Sequence, residues 1–197
     1  MYPFIETIRI EQGQALNLAH HNRRLNDTRA HFWPGSLTLH LADYLAPPSG
    51  EGILKARVAY GATGIGPISY TPYTLRPVRS LALVTDDNID YTYKSADRRC
   101  LEQLFSQRGA CDDILIVRQG LLTDTSIANI ALTDGTRWYT PAHPLLPGTR
   151  RAALLARGIL HPRMLTPQDL SAFSAIRLFN ALIGWGELEL PVQAIVL

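Results

Sequence analysis

The sequence predicts an α+β fold arranged as two lobes. Short runs of alternating or β-branched residues read as strands, and the dipeptides Gln12-Gly13, Gln119-Gly120 and Asp134-Gly135 read as the turns between them. Segments with one-face apolar spacing, closed by glycine or proline, read as helices set among the strands rather than alternating regularly with them. A length of 197 residues with 46% hydrophobic content suits one compact unit or two small lobes sharing an interface. Charged residues make up 18%, below the usual share of about 25%, which allows a large buried surface.

The elements follow in order. Phe4 to Ile10 alternates and reads as a strand, with the Gln12-Gly13 turn and a short return after it. Residues from His20 to Phe32 read as a helix with Leu25, Thr28 and Phe32 on one face and Arg24 beside it. Ser36 is placed to cap a second helix through Tyr44, ended by Pro47-Pro48 and Gly50. Ile53–Tyr60 and Ile68–Leu75 read as an antiparallel pair joined by the glycine-rich loop 61–66. Arg76-Pro77-Val78-Arg79 is the linker candidate, which gives a small lobe over 1–76, a linker at 77–79 and a larger lobe over 80–197. In the larger lobe Leu81–Thr85 is a strand and Asp86-Asp87-Asn88 a turn. A helix follows Lys94, with Leu101, Leu104 and Phe105 on one face, and ends near Gly109. Strands are expected at Asp113–Arg118, Ile127–Leu132 and, after the Asp134-Gly135 hairpin, at Trp138-Tyr139. Arg150–Arg157 reads as a helix ended by Gly158, and Thr166-Pro167 as the cap and first residue of another. Ala175–Phe179 and Val192–Leu197 complete the strands.

Composition excludes several function classes. The net charge is +2 and the basic residues are scattered, in pairs such as Arg23-Arg24, Arg98-Arg99 and Arg150-Arg151, so no nucleic-acid stripe is present. Cys100 and Cys111 fit no CxxC or metal-ligand spacing and are expected to be reduced, buried thiols of a cytoplasmic protein, with no metal site. The N-terminus shows no basic region followed by an apolar core, and no apolar run approaches the ~18 residues of a membrane span. The glycines at 61, 64 and 66 do not form GxGxxG and follow no βαβ pattern, which argues against a dinucleotide site.

Three features combine into a candidate site. Lys94 stands just before a helix; taken alone it reads as a solvated surface lysine, but with a lowered pKa its amine attacks aldehydes and carries protons. Asp124, in Thr123-Asp124-Thr125-Ser126, reads alone as a turn residue, yet its carboxylate suits a protonated pyridine nitrogen. Gly148-Thr149, ahead of an Ala/Leu-rich helix, is an ordinary helix start that also presents free N–H groups to a phosphate. Arg24 supplies a guanidinium able to fork onto the same group. A lysine, an acid and a helix entrance in this order are the parts of a pyridoxal 5'-phosphate site.

The order and spacing resemble a family. Phe4-Ile5-Glu6-Thr7 resembles the opening F-E-T strand of the class-IV pyridoxal-phosphate aminotransferases, and His21-Asn22-Arg23-Arg24-Leu25 matches their H-x-x-R-L. Lys94-Ser95-Ala96-Asp97-Arg98 resembles the K-x-x-N-R of the 4-amino-4-deoxychorismate lyases. Thr123-Asp124 through Asn129 resembles T-E-x-x-x-x-N, Gly148-Thr149-Arg150 the G-I-T loop, and Phe179-Asn180-Ala181-Leu182 the N-[SA]-L segment of the lyase branch. The resemblance implies a two-lobed fold like that of D-amino-acid aminotransferase, a small lobe trimmed of the strand before F-E-T, a cofactor site between the lobes, and a homodimer. It implies that Lys94 is the Schiff-base lysine and that Arg24, Asp124, Ser126, Gly148, Thr149 and Arg150 contact the cofactor. Tyr60, Tyr93 and Asn180 are substrate candidates by position. The departures are Asp124 in place of glutamate, Arg150 in place of a phosphate-binding threonine, and Tyr60-Gly61 where many lyases have Arg-Gly. The expected activity is that of a 4-amino-4-deoxychorismate lyase, releasing pyruvate and 4-aminobenzoate. An amino-acid transaminase (branched-chain or D-amino acid) and a non-catalytic cofactor-binding relative are the alternatives.

Overall fold

A computed structural model describes residues 2–196. The protein is a mixed α+β chain that divides into two compact units, Met1–Leu75 with Tyr93–Asp97, and Arg76–Thr92 with Arg98–Leu197. Residues 93–97 thus belong with the N-terminal segment, although they lie well inside the stretch read as the larger lobe.

The first unit is a four-stranded antiparallel sheet covered by one helix. Its strands are β1 (Phe4–Glu11), β2 (Gln14–Ala15), β3 (Ile53–Gly61) and β4 (Gly64–Pro72), in the order β2-β1-β3-β4, and its helix is α1 (Leu18–Phe32). β1 lies along β3 for its whole length, from Phe4 opposite Tyr60 to Glu11 opposite Ile53. Alternation sends Phe4, Ile8 and Ile10 to one face, where they pack with Leu25, Leu41, Ala56, Val58 and Tyr60. α1 contributes Leu25 and Thr28 to this core, but Phe32, expected on the same face, is 43% exposed.

The helix expected from Ser36 to Tyr44 does not form. Only a single 3-10 turn occurs there, at Leu41–Asp43. Ser36 turns its hydroxyl back to the Trp33 carbonyl at 2.6 Å instead of capping forward. The backbone ahead of the turn is satisfied by α1. Asn26 holds both the Leu39 N–H (2.9 Å) and its carbonyl (2.9 Å), and the Asn22 side chain accepts from the Leu41 N–H at 2.8 Å. An extended segment stapled by asparagines leaves no groups for a helical ladder.

The second unit is a mixed nine-stranded sheet with two helices. Its strands are β5 (Leu81–Thr85), β6 (Asp113–Arg118), β7 (Leu121–Thr125), β8 (Asn129–Thr133), β9 (Trp138–Pro141), β10 (Leu160–Arg163), β11 (Ala175–Phe179), β12 (Glu189–Pro191) and β13 (Ile195–Val196). The main order is β10-β9-β8-β7-β6-β5-β13, with β11 bridging β8 and β12. The helices are α2 (Arg99–Phe105) and α3 (Thr149–Ala156). One core gathers Val84, Ile89, Tyr91, Leu101, Leu104, Ile114, Ile116 and Leu145, and another Ala131, Leu154, Leu160 and Phe179.

Three expectations need correction here. The strand read at Val192–Leu197 is a 3-10 turn followed by the two residues of β13, because Pro191 opens the turn; Leu197 lies outside the described residues. The segment from Thr166 is a 3-10 helix, not an α-helix, though Thr166 and Asp169 do form the capping box that starts it. The cysteines are free but half-buried, Cys100 packing at the margin of its core. Among the described residues no helix is long and apolar enough to cross a membrane.

Candidate active site

In the first unit the site is built on a buried acid. Glu6 occupies the inward parity of β1, between Phe4 and Ile8, and is fully buried. α1 places His21, Arg24, Leu25 and Thr28 on one face by its i, i+3, i+4 and i+7 spacing. The Arg24 guanidinium forks onto Glu6, Nε to Oε1 at 2.9 Å and Nη2 to Oε2 at 2.5 Å. His21 Nδ1 meets Glu6 Oε2 at 2.5 Å. Burial alone would raise Glu6, but the Arg24 charge, then the His21 hydrogen bond, outweigh it and hold the carboxyl at about 2. Burial pushes His21 below its usual value against the opposing pull of Glu6. A neutral ring that donates from Nδ1 to an ionised carboxylate satisfies both groups.

Lys94 is fixed to the same strand through its backbone. The Ile5 N–H donates to the Lys94 carbonyl at 3.0 Å, Phe4 pairs with Ser95, and the Ala96 N–H donates to the Pro3 carbonyl at 2.8 Å. The Lys94 charge is also among the causes that lower His21, so it lies within electrostatic reach of the Glu6 cluster. Tyr93, a substrate candidate, stacks on His31 with ring centroids 4.9 Å apart. Tyr60, another substrate candidate, is fully buried. Its hydroxyl makes no hydrogen bond; Thr28 stands near, but without hydrogen-bond geometry, and donates instead to the Arg24 carbonyl at 2.8 Å. Burial pushes the Tyr60 hydroxyl well above its ordinary value. Arg29 is buried beneath this layer with Nη1 on the Gly61 carbonyl.

In the second unit Asp124 ends up 5% exposed on β7, opposite Asn129 on β8. Asn129 Nδ2 donates to Asp124 Oδ1 at 2.9 Å and to the Leu146 carbonyl at 2.9 Å, while the Leu146 N–H donates to Asp124 Oδ2 at 2.9 Å. Burial pushes Asp124 up to about 6, opposed by these neutral donors and, less, by the Arg151 charge. Two residues after Leu146, Gly148 caps α3 with no side-chain hydrogen bond. A Cβ on Gly148 would press on Asn129 Oδ1, so any larger residue here must push the Asn129 amide aside.

The other expected residues are placed as follows. Ser126 follows β7 and its carbonyl accepts from Arg98 Nη2 at 2.8 Å. Thr149, the first residue of α3, is buried, and Arg150 donates from Nε to the Asn180 carbonyl at 2.9 Å. Asn180 uses its side chain on backbone, Nδ2 to the Ile127 carbonyl at 3.0 Å and Oδ1 from the Leu182 and Ile183 N–H groups at 2.8 Å each. Sequence reasoning assigned roles to Arg24 and Asp124 but none to their partners Glu6, His21 and Asn129. The readable signal for Glu6 was a carboxylate at an apolar parity of a strand.

The donor set fits pyridoxal phosphate. A carboxylate offers about four acceptor sites, and the two oxygens of Asp124 each accept one of the hydrogen bonds above, so a further N–H donor can be met. The first turn of α3, entered through Gly148, carries backbone N–H groups and the positive end of a helix dipole, the chemistry that suits a phosphate.

Comparison with known proteins places the chain in a family. Residues 65–190 match the family model described as amino-transferase class IV. A Haemophilus influenzae protein of uncharacterised role is 35% identical over 188 residues, covering 93% of this chain and all of that one. The crystal structure of a candidate 4-amino-4-deoxychorismate lyase from Haemophilus somnus superposes with a TM-score of 0.88 at 36% identity, over 94% of this chain and 98% of that one. A pyridoxal-phosphate-bound hypothetical aminotransferase from Mycobacterium tuberculosis shares the fold at a TM-score of 0.74 and 18% identity, over 98% and 81%. With 126 contiguous residues of its 197 matched (65 to 190 inclusive), this chain belongs to the amino-transferase class IV family.

Proposed function

We propose that this protein is a pyridoxal-phosphate enzyme acting as a 4-amino-4-deoxychorismate lyase. The observation that carries the reading is the Asp124–Asn129–Leu146 arrangement at the start of α3: a buried carboxylate whose hydrogen-bond donors are neutral, which a cationic ring nitrogen would suit. Support for the lyase comes from the K-x-x-N-R-like stretch at Lys94–Arg98 and from the 36% identical relative described as a candidate lyase. Lys94 would hold the cofactor covalently through Nζ, Asp124 would hold its ring nitrogen, and Arg24 with the N–H groups of Gly148, Thr149 and Arg150 would hold its phosphate. When bound, the cofactor supplies an electron sink that stabilises negative charge at the substrate's amine-bearing carbon. Once the substrate amine had displaced it, the free Lys94 Nζ would take the proton from that carbon and give a proton to the three-carbon fragment, whose C–O bond to the ring breaks so that it leaves as pyruvate while the ring becomes aromatic.

The test is an absorbance spectrum of the purified protein with pyridoxal phosphate, before and after adding 4-amino-4-deoxychorismate, L-glutamate and D-alanine in turn. The expected result is a visible band that survives both amino acids while 4-amino-4-deoxychorismate is consumed with release of pyruvate. A band bleached by an amino acid would make the protein a transaminase, and no band would refute the cofactor assignment. A Lys94→Ala variant is expected to lose the band and all turnover. The homodimer implied by the family resemblance is checked by sedimentation of the same sample.

A further inference from the structure

We infer that Asn129 is a positioning residue: its amide nitrogen ties the Asp124 carboxylate to the turn that leads into α3, so that the acid and the helix start move as one piece. The inference rests on the functional reading above and concerns how that site is kept in shape.

The geometry leaves the Asn129 amide one orientation. Its nitrogen carries two hydrogens, and each has an acceptor, Asp124 Oδ1 and the Leu146 carbonyl, both at 2.9 Å. A flipped amide would set an oxygen against two acceptors. The Leu146 N–H returns to Asp124 Oδ2 at 2.9 Å, which closes a ring of three hydrogen bonds through three residues. Asn129 is 5% exposed, so little water reaches it as a substitute partner. Its Oδ1 faces Gly148, where a Cβ would press on it, so the same side chain also fixes the backbone path one residue before α3. β7 and β8 oppose Asp124 and Asn129 directly, and the hairpin between them is pinned from outside. Arg98 holds the Ser126 carbonyl at 2.8 Å and Asn180 the Ile127 carbonyl at 3.0 Å. The strand pair is therefore the rigid element, and Asn129 passes its rigidity to residues 146–148.

A side chain that only stabilised the fold would lower stability without changing how the two ends of the cofactor are held. A positioning residue makes two further claims. In the cofactor-free protein, Asn129→Ala should accelerate hydrogen exchange of the Leu146 amide at least tenfold, while amides of β5 and β6 stay as protected as before. In the cofactor-loaded protein, the same change should weaken pyridoxal phosphate by on the order of tenfold to a hundredfold, and this loss should shrink to under about twofold when Asp124→Asn is already present. Gly148→Ala, which keeps both Asp124 and Asn129 but forces the amide aside, should reproduce the exchange effect and serves if Asn129→Ala does not fold. Equal Leu146 exchange and equal cofactor affinity in wild type and variant would overturn this inference and leave the functional reading standing. A wild-type protein that binds no pyridoxal phosphate would overturn the functional reading, and the inference with it.

Discussion

Two of the buried carboxylates, Glu6 in the first unit and Asp124 in the second, are driven in opposite directions. Glu6 and Asp124 are both removed from water, and burial raises each. Glu6 faces a guanidinium that forks onto both of its oxygens and ends at about 2. Asp124 faces an amide and a backbone N–H, and ends at about 6. Neutral donors at 2.9 Å satisfy the geometry of a carboxylate but do not repay its lost hydration; a full charge does. A third acid completes the comparison. Asp169 accepts from neutral donors too, the backbone N–H and hydroxyl of Thr166, but at a half-exposed position, and it is lowered. Environment, not hydrogen-bond count, decides the direction. In functional terms Glu6 is a permanent anion that fixes Arg24, whereas Asp124 is an acid whose ionisation a cationic ring nitrogen would complete.

Breaking the first member of the pair should have the largest effect. Glu6→Gln leaves the Arg24 charge buried without its counter-ion and should cost about 3–5 kcal/mol of stability, read by urea unfolding at neutral pH. A loss below about 1 kcal/mol would show that Arg24 finds another partner.

The second prediction separates the two acids by pH. Glu6, lowered in the folded protein from 4.5, contributes stability that is present above about 4.5 and is lost as the pH falls toward 2. Asp124, raised from 3.8 to about 6, does the reverse: its contribution is full below about 3.8 and is lost as the pH rises through 6. Relative to Asp124→Asn, the cofactor-free wild type should therefore lose roughly 2–3 kcal/mol between pH 4 and pH 7. A difference that stays flat across this range would mean that Asp124 is not raised. Turnover of the loaded enzyme should fall in Asp124→Asn, with phosphate binding mostly kept.

The smallest effect is expected at the half-exposed acid. Thr166→Ala removes the cap that holds Asp169 and should cost about 1 kcal/mol, with no change in cofactor affinity. A change in that affinity would contradict the assignment of this capping box to the fold alone.

Much of this was legible in the chain, for identifiable reasons. The strands at Leu81–Thr85, Asp113–Arg118 and Ala175–Phe179 have the bounds that residue type and turn signals indicated. β7 escaped notice because four of its five residues, on both faces, are buried, so it shows no alternation. The residues after Ser36 misled because their backbone partners, Asn22 and Asn26, lie on another element. The site followed the same division. Lys94, Arg24, Asp124 and Gly148 are recognisable by type and order, but the pairing of Asp124 with Asn129 and of Glu6 with His21 exists only once strands and helix are folded against each other.

The return of residues 93–97 to the first unit bears on how this chain is made. β2 covers only the far end of β1, at Ile10 and Glu11; beside Phe4 and Ile5 the open edge is filled by Lys94 and Ser95. A ribosome that has released the first 75 residues has therefore delivered a sheet with part of one edge still unpaired. The seventeen residues from Arg76 to Thr92, which belong to the other unit, must emerge before the closing segment does. Gene fragments ending at residue 75 should accordingly yield a sticky, incomplete product, and a permuted chain that joins 93–97 directly to the first unit should not.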